Sequence, residues 1–124
     1  MAPAVILVAG GTGSWRARVG ATLVGAGYAV REAASGDEAL AMVAERRPDL
    51  VLLDLRLPDG DGFGLLERLR ALSGGSTVSI VAVVGALADA GPDRMVRADF
   101  TDYLVTPLDP ARLLRTIRTH LPLR

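Results

Sequence analysis

Short apolar runs alternate with amphipathic stretches along the whole chain, and that rhythm restricts the fold more than any single residue does. Val5 to Ala9, Leu50 to Leu53 and Val78 to Val84 carry no charge at all. A strand that is apolar on both faces is buried on both faces, as in a parallel sheet covered by helices. Tyr28 to Glu32 is more polar and reads as an edge strand; Tyr103 to Val105 is a short last strand. Helical stretches lie between them. The first follows Gly10-Gly11-Thr12-Gly13, with Ser14 as its expected cap, and runs to about Gly25 before Gly27. The second opens at Ser35-Gly36-Asp37-Glu38 and closes at Arg46-Arg47-Pro48, with positive charge at the negative helix end. A third begins at Gly62 or Phe63, a short fourth covers Pro92 to Ala98, and the last starts at Asp109-Pro110. Ser73-Gly74-Gly75-Ser76 reads as a flexible connection.

Five strands alternating with five helices imply parallel β-α-β units. The expected architecture is a flavodoxin-like, doubly wound (β/α)5 sheet of strand order 2-1-3-4-5, spanning 1–124 as a single domain. In such sheets ligands sit in the crevice outside the carboxyl ends of the strands. Those ends hold Ala9-Gly10, Asp54, Val84-Gly85 and Thr106.

Composition removes several function classes. There is no cysteine and one histidine, which excludes disulfides, thiol catalysis and multi-histidine metal centres. The 14 basic residues are all arginine and are matched by 14 acids, so the chain exerts no long-range pull on nucleic acid or anionic membrane. Zero net charge favours association. No apolar run approaches a membrane span and the first residues lack a basic n-region, which points to a cytoplasmic protein.

The most specific segment is Pro48-Asp49-Leu50-Val51-Leu52-Leu53-Asp54, followed by Leu57-Pro58-Asp59-Gly60-Asp61-Gly62. A buried strand ends on an acid, with proline four positions on and glycine eight on. Together with Ser35-Gly36-Asp37-Glu38-Ala39-Leu40 and Asp102-Tyr103-Leu104-Val105-Thr106-Pro107-Leu108, it resembles the receiver domains of two-component response regulators, over nearly the whole chain and in the family's order. The resemblance puts Asp54 at the phosphoacceptor position and Tyr103 at the switch aromatic. It also implies a cis bond before Pro107. In the family an acid pair after the first strand helps hold a divalent cation, and a hydroxyl and a lysine bind the phosphoryl oxygens.

This chain departs from the family at each of those supporting positions. The acid pair falls on Ala9 and Gly10, the hydroxyl on Val84, and the lysine on Thr106; no lysine exists anywhere in the chain. A lone carboxylate is a poor magnesium site, so no cofactor is expected. Asp54 then becomes a strand-end acid paired with Arg16 or Arg56. Asp59 and Asp61 read as solvent-facing loop residues. The expected function is signal transduction by protein–protein contact with a sensor kinase or an effector domain, without the ordinary phosphorylation cycle. A homodimer through the fourth helix, fifth strand and fifth helix is also expected. Asp89, Asp93, Asp99, Arg94 and Arg97 would pair across its two-fold axis, and Arg112, Arg115 and Arg118 form an exposed stripe.

Two alternatives stand beside that reading. One is a working phosphoreceiver at Asp54. The other is a sensor of a small anion or nucleotide, bound by the backbone of Gly11, Thr12, Gly13 and Ser14 at the start of the first helix. The dinucleotide fingerprint fails at Arg16 and the phosphate-loop pattern lacks its lysine. Enzyme readings find no support: Ser14 has no Gly-x-Ser-x-Gly elbow, and His120 reads as a solvated residue of the last helix. Trp15 reads as a packing residue.

Overall fold

The computed structural model describes residues 2–72, 77–85 and 91–121. The expected connection at 73–76 and Asp89 lie outside the described residues. The main elements are β1 (Val5–Ala9), α1 (Gly13–Gly25), β2 (Ala29–Ala33), α2 (Gly36–Glu45), β3 (Leu50–Asp54), α3 (Gly62–Ala71), β4 (Ser79–Val84), α4 (Pro92–Arg97), β5 (Asp102–Val105) and α5 (Pro110–His120). The strands form one parallel sheet in the order β2-β1-β3-β4-β5, as the sequence predicts. A small antiparallel ladder, Arg56–Leu57 with Gly60–Asp61, follows β3.

Strand periodicity sorts the core into two layers. Leu7, Ala9, Val51 and Leu53 pack with Leu65, Leu66 and Leu69 of α3. The alternate residues Ile6, Val8, Leu50 and Leu52 pack on the other face with Val19 and Leu23 of α1 and Leu113 and Ile117 of α5. Trp15 joins this second layer as a partly buried packing residue, as expected. β3 lies mid-sheet with every residue buried, which is why its run Leu50 to Leu53 carries no polar side chain.

The starts of α1, α2, α3 and α5 rest on side-chain caps, while α4 begins after Gly91 without one. Thr12, not Ser14, caps α1, accepting from the Trp15 amide at 3.1 Å. The cap must have extended backbone one residue before the helix, and Thr12 meets that condition while Ser14 already lies inside the first turn. Ser35, Asp61 and Asp109 cap α2, α3 and α5.

His120 departs from the sequence reading. Its Nε2 lies 2.8 Å from Oδ2 of Asp102, tying the end of α5 to the start of β5. The pair lies at the amino end of β5, away from the crevice. An acid and a histidine 18 residues apart gave no local signal of this contact.

Candidate functional site

Register brings the crevice residues together. Ala9 pairs with Leu53, Asp54 with Val83, and Val84 with Val105, so the strands end side by side. Beyond them the Thr106 amide donates to the Val84 carbonyl at 2.9 Å, and Thr106-Pro107 is cis, as the resemblance implies.

Asp54 is the one buried polar or charged residue among the described residues, with 2% of its surface exposed. A buried carboxylate needs partners for its lone pairs. The adjacent turn supplies them. Arg56 donates from its backbone N–H to Oδ1 at 2.9 Å, from Nε to Oδ1 at 3.2 Å, and from Nη2 to Oδ2 at 3.0 Å. The guanidinium fork grips the carboxylate bidentately while its own outer side stays 75% exposed. Contact with the Asp54 carboxylate raises the Arg56 pKa further above its ordinary value, first through the hydrogen bonds and then through charge.

Of the two arginines offered by the sequence, Arg56 is therefore the partner. Arg16 turns the other way. Its Nη1 donates to the carbonyls of Gly10 and Gly11, both at 3.0 Å, and its Nε faces Glu32 at 3.4 Å without hydrogen-bond alignment. It staples the loop after β1 instead of serving Asp54.

The residues present do not fit a magnesium site. Ala9 and Gly10 bring no side-chain oxygen, and no cluster of three acidic, histidine or cysteine side chains suited to a metal occurs among the described residues. Gly10 has φ +84°, and a Cβ there would stand 2.5 Å from the Asp54 carbonyl oxygen. An acid at that position would require the loop to move. Asp59 and Asp61 are exposed, as expected, but not idle. Asp59 accepts from the amides of Gly36 and Asp37 at 2.8 and 2.9 Å, holding the start of α2. Asp61 caps α3 and pairs with Arg94 at 3.3 Å.

The glycine loop is also engaged internally. The Gly10 amide donates to Ala33 and the Gly11 amide to the Arg56 carbonyl, at 3.0 and 3.2 Å. Of the Gly11 to Ser14 amides that an anion over this turn would draw on, that of Gly11 is already in use. Tyr103 projects outward from β5 with 43% of its surface exposed.

The model of the response regulator receiver domain matches residues 6–118. The chain belongs to this family. It is a receiver domain of the two-component type, a signalling module. It is 38% identical over 101 residues to the transcriptional regulatory protein ZraR of Salmonella typhimurium, covering 82% of this chain and 22% of that regulator. The chain thus spans about a fifth of that relative's length. The chemotaxis response regulator CheY4 of Vibrio cholerae superposes with a TM-score of 0.88 at 30% identity, over 96% of this chain and 99% of that one. The receiver domain of the sensor histidine kinase PA1611 of Pseudomonas aeruginosa superposes at 0.89 with 28% identity, over 96% and 98%. That structure carries a magnesium ion coordinated in its active site cleft.

Sequence reasoning placed Ala9, Asp54, Val84 and Thr106 at the carboxyl ends of the strands, where they lie, but missed the engaged roles of Asp59, Asp61 and His120. For Asp61 a signal was available: an acid just before an apolar helical run is a cap pattern. For Asp59 and His120 the partners are distant in sequence.

Proposed function

We propose that this receiver acts through protein–protein contacts, with a sensor kinase or an effector domain as partner, and that Asp54 does not pass through the magnesium-dependent phosphorylation cycle. The arginine clamp on Asp54 carries this reading. Three donors from Arg56 fall on the two Asp54 oxygens, two on Oδ1 and one on Oδ2, and the attached positive charge lowers the nucleophilicity of the one Oδ2 lone pair left over. Among the described residues no cluster of three acidic, histidine or cysteine side chains could hold the metal that would offset repulsion between two anions; the PA1611 receiver carries magnesium in its cleft. Thr106 and Val84 supply neither a cation nor a second hydroxyl for phosphoryl oxygens.

Output in this reading comes from a partner that prefers one arrangement of the loops around Val84 and Thr106 and of Tyr103. A partner indifferent to the two arrangements would switch nothing. The reading extends to a homodimer through α4, β5 and α5, supported by the exposure of Val96 (85%), Tyr103 (43%) and Val105 (44%). The charge pairing foreseen for that face is partly taken up inside the chain, since Arg94 binds Asp61 and Asp99 binds Arg70. The absence among the described residues of any helix long and apolar enough to cross a membrane is compatible with the cytoplasmic location this role requires.

Incubation with acetyl phosphate and magnesium, followed by intact-mass measurement, tests the central claim. No phosphoryl adduct is expected. A magnesium-dependent adduct that vanishes in Asp54→Ala would overturn it and restore the working phosphoreceiver.

A further inference from the structure

A cavity of about 450 Å³ lies between α1 and the segment joining β5 to α5. Its walls include Trp15, Arg18, Arg56, Thr106, Leu108 and Leu113. Three features give it a chemical identity. Among the described residues no acidic side chain lines it, although acids and bases balance over the whole chain. Two of its lining residues are arginines, and Arg18 forms no ion pair among the described residues. The nearest acid in sequence, Asp109, has a carboxylate oxygen engaged by the Arg112 amide at 3.2 Å. The rest of the lining is an indole, aliphatic side chains and the hydroxyl-bearing Thr22 and Thr106.

We propose that this cavity binds a small amphipathic oxyanion, a phosphate monoester or carboxylate carrying an apolar or aromatic body. The anionic head would meet Arg18 and Arg56, and the body would lie against Trp15 and Leu108. Sites of this kind are mostly apolar with a few converging polar groups, and roughly 300–1,000 Å³ is their usual size. Guanidinium is suited to phosphate and carboxylate heads because its planar fork donates in parallel. The site differs from the glycine-loop reading in its donors: side-chain guanidinia replace backbone amides. It also bears on Asp54, because Arg56 cannot offer the same two N–H groups to the ligand and to Asp54 at once. The inference rests on the cavity alone and stands whether or not Asp54 accepts a phosphoryl group.

Trp15 is the only tryptophan in the chain, so its fluorescence reports this cavity. The probes are phenyl phosphate, benzoate, inorganic phosphate and phenol, titrated into the full chain without magnesium. None is an acyl phosphate, so covalent transfer at Asp54 does not confuse the result. Saturable change is expected with phenyl phosphate or benzoate, and phenol should bind at least about tenfold more weakly, as loss of a charge-assisted hydrogen bond implies. Inorganic phosphate, lacking the body, should also bind more weakly. Arg18→Gln should weaken phenyl phosphate or benzoate binding at least about tenfold. Arg112→Gln, which removes an exposed arginine outside the cavity, should leave it unchanged. No saturable signal up to about 10 mM of either aromatic anion, equal binding of phenol, or equal loss in the two arginine variants would overturn the proposal.

Discussion

Asp54 and Arg56 form an unequal pair: the acid is 2% exposed, while the Arg56 side chain is 75% exposed. Water can screen the guanidinium from outside but cannot easily solvate the carboxylate beneath it. Removing the base should therefore cost more than removing the acid. Arg56→Ala leaves a buried anion with only its backbone N–H donor from this turn, and about 1–3 kcal/mol of lost stability is expected. Asp54→Asn keeps the shape and removes the charge, so adding Arg56→Ala to that background should cost much less. Urea unfolding of the four proteins gives the coupling directly. A coupling near zero would show that the fork contributes geometry without stability. The identity of the partner was not legible in sequence, because Arg56 stands two residues from Asp54 while Arg16 follows the first strand, whose carboxyl end lies beside that of the third, so either could reach the acid. The tight turn after β3 decides it: Arg56 follows Asp54 by two residues and folds back, whereas Arg16 is drawn to the Gly10 and Gly11 carbonyls.

Elements here are tied together by acids acting at helix starts. Asp59 lies in the turn after β3 yet bonds the first amides of α2, joining two segments that are 22 and 23 residues apart. Those bonds, the Asp37 amide first and Gly36 next, hold the Asp59 carboxyl below the usual aspartate range. Asp61 is lowered likewise, chiefly by the Gly64 amide. A depressed folded-state pKa adds stability above the unfolded value, near 3.9 for aspartate, and that stability fades as pH falls through the folded value. Asp59→Ala should thus be less stable than wild type at neutral pH, with the difference shrinking as pH drops below about 4. Thermal or urea midpoints at several pH values check this, and a gap that stays constant into acid would refute it. Strand and helix placement was legible because burial on two faces leaves a charge-free run, and the Asp109-Pro110 start announced itself by composition. The cap of α1 was misread by two residues, since Gly10, Gly11, Thr12 and Gly13 permit several turn geometries and only the backbone selects Thr12. Long-range links such as Asp59 to α2 or His120 to Asp102 have no period to read.

On the scale of the molecule, a parallel sheet covered by helices followed from the alternation of apolar runs and amphipathic stretches, while the outer surface did not, because exposed residues obey no packing rule. One face nevertheless stands out. Val96 on α4 and Tyr103 and Val105 on β5 are large apolar side chains that remain exposed. The chain has no net charge to keep copies apart. In a two-fold dimer each substitution acts twice, once from each copy, so a single charge placed at Val96 introduces two like charges into one contact. Wild type should scatter light as two chains at about 100 μM, a concentration that populates micromolar dimers. Val96→Glu should scatter as one chain with an unchanged circular dichroism spectrum, because Val96 is 85% exposed and contributes little to the core. A Val24→Glu control, on α1 at 58% exposure, should remain dimeric. If both variants dissociate, general charge repulsion explains the effect; if wild type is already monomeric, signalling through this face must involve a different partner.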